Sequence, residues 1–128
     1  MGATRLGYPA DIRLKKAWQY DLVFRTGRRR NGALVRLLFI ETHEDKTLIG
    51  LAVGKRQGGA VTRNRGKRIL KEAARRLYPM IKDGYWIVLS LQKRGLSAKS
   101  HEVYEDLKRL LSKEGLLKSG QQTIESGQ

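Results

Sequence analysis

VTRNRGKRILKEAARRLY, running from Val61 to Tyr78, is the stretch on which the fold turns. Ile69, Leu70, Ala73 and Leu77 recur at helical spacing and line one face, with basic residues on the other. The spacing predicts a helix over 61–78, with Pro79 just past its end. On either side the pattern changes to short apolar runs. Thr47–Val53 upstream and Tyr85–Leu91 downstream read as strands, the second entered through an Asp83-Gly84 turn.

Further out, Leu14 to Thr26 can form a short helix ended by Gly27. Trp18 and Leu22 share one face of it, and Tyr20 and Phe24 a neighbouring one. A polar stretch, Arg28–Gly32, follows. Leu34–Ile40 reads as a strand, Glu41–Lys46 as a hairpin loop, and Gly54, Gly58 and Gly59 as a flexible connection. Beyond Leu91, Lys93–Ala98 reads as a loop. A last helix spans Lys99–Lys113, burying Val103, Leu107, Leu110 and Leu111. Its acids Glu102, Glu105 and Asp106 come early and its bases Lys108, Arg109 and Lys113 late, which suits the helix dipole. Gly115 is a fitting stop. The order helix, strands, helix, strand, helix implies an α+β domain in two layers. Residues 13–117 would form that domain, 1–12 an arm and 118–128 a disordered tail.

The chain has 128 residues, 27 Lys and Arg against 12 Asp and Glu, and a net charge of +15. Such an excess repels itself in the folded state unless a polyanion neutralises it. Nucleic acid is the first choice and an anionic membrane surface the second. No apolar run approaches the roughly 18 residues that span a bilayer. There are no cysteines, so disulfides and thiolate metal sites are excluded, which suits the cytoplasm.

The placement of charge says more than its sum. Lys55 to Arg76 holds nine basic residues and one acid, Glu72. On a helix, Arg63 and Lys67 lie at i,i+4, as do Asn64 and Arg68, with Arg65 and Lys71 beside them. Like charges so spaced cost helix stability, a cost that a bound phosphate backbone offsets. The plain alternative is a solvated helix face. A second basic group, Arg13, Lys15, Lys16, Arg25, Arg28, Arg29, Arg30 and Arg36, flanks Trp18, Tyr20 and Phe24. Aromatic rings among cations suit a single strand, whose unpaired bases can stack. Trp18 reads as core; Tyr20 and Phe24 fit either role.

No catalytic residue emerges. His43 and His101 are the only histidines, and they lack metal-ligand spacing. Glu41, Glu44 and Asp45 fall in the hairpin loop and read as a solvated tip. Gly54 to Gly59 is Gly-rich and basic but lacks the Gly-Lys-Ser/Thr ending of a P-loop. Any metal position on the protein is left open.

Ala60 through Arg68, with its Arg63-Asn64-Arg65, resembles the signature of the bacterial ribonuclease P protein family. Arg13-Leu14-Lys15-Lys16 with Tyr20, Phe24 and Gly27 resembles that family's opening helix, which usually has Phe at both aromatic positions. Gly50 to Arg56, and Gly58 through Val61, resemble its strand and following loop. The likeness runs from Arg13 to Leu117. It implies a left-handed βαβ crossover and a cytoplasmic accessory subunit of a tRNA 5′-maturation endoribonuclease. It implies no membrane and no obligate protein partner. By this resemblance Arg63, Asn64, Arg65, Lys67, Arg68 and Lys71 would contact ribonuclease P RNA. Tyr20, Phe24, Leu38, Lys55 and Arg56 would hold the 5′ leader of precursor tRNA. The RNA would perform the hydrolysis with bound Mg2+. Three departures stand out. Gly66 replaces a large aliphatic residue, at a helix cost of about 1 kcal/mol against alanine. Leu38 replaces a position that is often aromatic. Ser90 to Arg94 lacks the usual arginine at the strand end. Two other readings share the composition: a structural RNA-binding protein, such as a ribosomal protein, and a basic DNA-binding module.

Overall fold

The computed structural model describes residues 10–54 and 58–118. Most of the expected arm, Lys55 and Arg56, and all of the expected tail but Lys118 lie outside the described residues. Three helices and four strands are present among them: α1 (Ala17–Thr26), β1 (Arg28–Asn31), β2 (Val35–Glu41), β3 (Leu48–Leu51), α2 (Ala60–Leu77), β4 (Tyr85–Leu91) and α3 (Ser100–Lys113). The strands form one sheet in the order β1-β2-β4-β3. β1–β2 and β2–β4 are antiparallel, while β3 and β4 are parallel and joined through α2.

Side-chain alternation divides the sheet into two faces. Val35, Leu37, Phe39, Ile87, Leu89 and Leu91 face one way, into a core with Leu70, Ala73 and Leu77 of α2 and Val103, Leu107 and Leu111 of α3. Leu38, Trp86 and Val88 face the other way and pack with Leu14 and Val23. The α+β class matches expectation, but the layering differs. In place of two layers, the sheet lies between α1 on one face and α2 with α3 on the other. The sequence pattern hid this because β2 and β4 are apolar on both faces, which erases the period-two signal.

Three boundaries moved for local reasons. Arg28–Asn31, expected as an irregular polar stretch, is the edge strand β1. All four of its residues are exposed, and a strand with no buried face leaves no apolar alternation to read. α1 begins at Ala17, because Arg13 and Leu14 lie extended along β3, with the Leu14 amide donating to the Ile49 carbonyl at 3.0 Å. The side chain of Gln19 then accepts from the Lys16 amide at 3.0 Å, satisfying a donor at the helix entrance. Lys93–Ser97 is a 3-10 turn rather than an irregular loop. The expected stop at Gly115 holds. Its φ is 75°, and the Leu116 amide donates to the Leu111 carbonyl at 2.9 Å, closing the helix as glycine at this position allows.

Candidate nucleic-acid interface

The basic helix α2 does not present one basic surface; it presents three. At 3.6 residues per turn, Gly66, Leu70, Ala73, Ala74 and Leu77 form the buried stripe. Lys67 and Lys71 lie on one flank of it. Together with Arg13, Leu14, Tyr20, Ile49, Gly50 and Leu51 they line a cleft of about 240 Å³ between α1, the edge of β3 and α2. Asn64 and Arg68 project outward and are exposed, as is Val61, at 84%. Arg65 and Arg76 lie on the opposite flank, toward α3, where their cationic groups meet the protein. The Arg65 Nη1 donates to the Leu96 carbonyl and Nη2 to the Ala98 carbonyl, both at 2.7 Å. The Arg76 guanidinium sits 4.1 Å from the centroid of the Tyr104 ring. Arg63 Nε donates to the Gly58 carbonyl at 3.2 Å, bracing the loop that enters the helix.

The cleft is electropositive. Its charged lining residues, Arg13, Lys67 and Lys71, are all cations, and no carboxylate lines it. Tyr20 is half-buried at its wall, and its hydroxyl donates to the Leu14 carbonyl at 3.1 Å. Burial pushes the Tyr20 phenol up, an effect partly opposed by the Leu51 backbone. Phe24 follows on the same flank of α1 and is 41% exposed. Tyr20, Lys67 and Lys71, expected to serve two different RNAs, thus line one cleft. Arg29, Arg36 and Asn31 lie on the same face of the sheet, where Arg36 Nε donates to the Asn31 side chain at 3.3 Å.

Two expectations about this region are corrected. Leu38 is 2% exposed, packed beneath α1 with Val23 and Val88, and offers no surface to a ligand. Trp18, read as core, is 58% exposed. It meets Trp86 edge-on at 5.6 Å, on the flank of α1 opposite Tyr20. Val23, not Trp18, marks the buried face of α1, and the helical angle between the two is the sequence signal that sets Trp18 outside it. The acidic hairpin tip has a structural part, since Trp86 Nε1 donates to the Glu44 carboxylate at 2.8 Å. Among the described residues no three His, Asp or Glu side chains converge as a metal site, and no helix is long and apolar enough to cross a membrane.

Sequence reasoning also missed Asp106. Read only as a dipole-favouring acid, it is a buried carboxylate that accepts from the amides of Ala33, Leu34 and Val35. It thereby anchors the β1–β2 turn and the arginines that β1 carries.

A mixed sheet flanked by helices, with a cationic cleft walled by an aromatic ring, defines a protein suited to a polyanion. Residues 8–115 match the family model for ribonuclease P. The chain is 35% identical to the ribonuclease P protein component of Symbiobacterium thermophilum over 82% of this chain and 92% of that one. It is 37% identical to that of Oceanobacillus iheyensis over 84% and 89%. The solved RNase P protein from Thermotoga maritima is 28% identical, with a TM-score of 0.70 over 77% of this chain and 94% of that one. The Staphylococcus aureus RNase P protein shares the fold, with a TM-score of 0.74 at 18% identity. The chain belongs to the ribonuclease P protein family, the accessory protein component of a tRNA-processing endoribonuclease.

Proposed function

We propose that the chain bridges two RNAs. Asn64 and Arg68, on the outward row of α2, contact the catalytic RNA of ribonuclease P. Tyr20 and Phe24 hold the 5′ leader of precursor tRNA as a single strand. Lys67 and Lys71 stand between these surfaces, where phosphates of both strands would meet. Lys55 and Arg56, which lie outside the described residues, are assigned to the leader on the strength of the family resemblance alone. The observation that carries this reading is the cleft, in which three cations surround an aromatic wall and no acid is present. A single strand needs cations for its backbone and a ring face for its bases.

Hydrolysis belongs to the RNA. The cationic lining of the cleft does not fit Mg2+, which takes oxygen ligands, so RNA phosphates would hold the metal. The protein's own work is to bind and orient. It would act in the cytoplasm, with ribonuclease P RNA and precursor tRNA as its partners.

The test adds the purified chain to bacterial ribonuclease P RNA and precursor tRNA at low Mg2+. Restored cleavage at the mature 5′ end is expected. RNA binding without stimulation would instead favour a structural RNA-binding protein.

A further inference from the structure

We infer that Arg65, the second arginine of the Arg-Asn-Arg motif, is a positioning residue that locks the Lys93–Ser97 turn onto α2, and that glycine at position 66 permits this lock. The inference rests on the RNA-binding reading above and sharpens it.

Three observations meet at one place. First, both terminal nitrogens of Arg65 are engaged with backbone carbonyls, at 2.7 Å each. These are short, charge-assisted bonds, and the two acceptors, Leu96 and Ala98, bracket the exit of the turn. A planar guanidinium can span two such acceptors, whereas a lysine ammonium is a single point. Second, a β-carbon at Gly66 would lie 3.0 Å from Leu91 Cδ1 and 3.5 Å from Leu96 Cδ2. The tight neighbour is Leu91, while Leu96, the residue whose carbonyl Arg65 holds, is at contact distance, so a side chain longer than a methyl group would press on both. Third, Gly95 packs on Leu34, the residue just before β2, so tightly that a β-carbon there would stand 2.4 Å from the Leu34 carbonyl oxygen. The turn is therefore fixed on its sheet side by Gly95 and on its helix side by Arg65 and Gly66.

The consequence lies in charge geometry. Lys93 and Arg94 are exposed on this turn. Holding the turn to α2 fixes their distance from Asn64 and Arg68 on the outward row. Arg65 thus acts on RNA through its neighbours, by keeping cations from two elements in one arrangement before the RNA arrives. Preorganisation of this kind raises affinity by removing an ordering cost at the moment of binding.

The experiment measures binding of ribonuclease P RNA to the full chain at fixed salt. Arg65→Lys keeps the charge but loses the fork, and should weaken binding about tenfold, as Arg65→Ala does. Neither loss should add to that of the Lys93→Ala, Arg94→Ala double variant. Gly66→Leu, which alters no charge, should weaken binding as Arg65→Lys does. Wild-type-like binding by Arg65→Lys, or losses that simply add, would overturn the inference while leaving the RNA-binding reading intact. If the wild-type chain does not bind the RNA, that reading fails and this role with it. Should the variants fail to fold, guanidinium NMR of the wild-type chain still decides. The Arg65 signals should be ordered in the free chain and unmoved by RNA while those of Arg68 move. Arg65 signals that shift as far as those of Arg68 sink the proposal.

Discussion

The ring of Tyr20 lies directly over Gly50, so close that a β-carbon on Gly50 would stand 2.6 Å from the Tyr20 hydroxyl and Cζ. Glycine at this point of β3 is what lets the ring form the cleft wall. Gly50→Ala must therefore drive the ring off the strand and break its hydrogen bond to Leu14. A loss of about 1–3 kcal/mol is expected, the usual cost of overpacking a filled site. Urea denaturation would measure it. In the reconstituted enzyme, the same variant should weaken precursor tRNA more than mature tRNA. Unchanged stability would mean that the ring tolerates displacement and does not define the wall.

Burial also sets an alkaline limit. The phenols of Tyr20 and Tyr78 are both pushed above their ordinary value, Tyr20 by burial and Tyr78 by burial and then by the carboxylates of Asp83 and Asp11. Raised folded-state values favour the neutral form in the native protein. Their contribution to stability is full below the unfolded value, about 10, and is lost as pH rises through the folded values. Unfolding midpoints should hold steady up to that point and then fall. Tyr78→Phe, which removes one of the titrating groups, should make the fall shallower. An equally steep fall in that variant would assign it to other groups.

Asp106 joins the last helix to the first hairpin. Its carboxylate is 2% exposed and accepts from three successive backbone amides, with Arg109 Nη1 donating at 2.7 Å. Asp106→Asn keeps the shape but replaces acceptor capacity with donors that face other donors. Leaving buried amides without partners costs about 1–3 kcal/mol each at worst, so a loss of about 2–4 kcal/mol is expected. The midpoint should fall with the denaturant slope unchanged. The turn Gly32–Val35 should then exchange its amide hydrogens faster than the rest of the sheet. A stability change below 1 kcal/mol would show that the amides find other partners.

Legibility in the sequence followed burial. β4 was read at its observed bounds, because Tyr85–Leu91 is apolar throughout and ended by turn residues. α2 was read to within a residue at each end, because its stripe from Leu70 to Leu77 is periodic. β1 was not read, since an exposed edge strand leaves three arginines and an asparagine that look like a loop. The cleft was legible only in parts. Residue types named Tyr20, Lys67 and Lys71, but their meeting depends on β3 lying beside β4 with Arg13 along its outer edge. No local pattern records that pairing. Leu38 failed because the family position was carried over, while its fate depends on what α1 covers. Arg65 shows the same limit. Spacing gave its angle on the helix, but only the packed turn shows that its guanidinium is held by the protein.

The two flanks of α1 offer a sharper test of the leader surface than either aromatic residue alone. Phe24 shares the flank of Tyr20, while Trp18 stands on the opposite flank beside Trp86. Both are only partly buried, so each alanine variant should lose about 1–2 kcal/mol of stability, well short of the cost at a core site. Their effects on substrate should nevertheless differ. Phe24→Ala should lower affinity for precursor tRNA with a single-stranded leader by roughly fivefold to a hundredfold, the range for losing one stacked base. It should leave mature tRNA unaffected. Trp18→Ala should change neither. Reciprocal results, with Trp18 governing leader affinity and Phe24 silent, would move the single strand to the other side of the helix, beside the acidic hairpin tip. Comparison of leader-bearing and leaderless substrates in one holoenzyme preparation separates these outcomes, since a general folding defect would weaken both substrates alike.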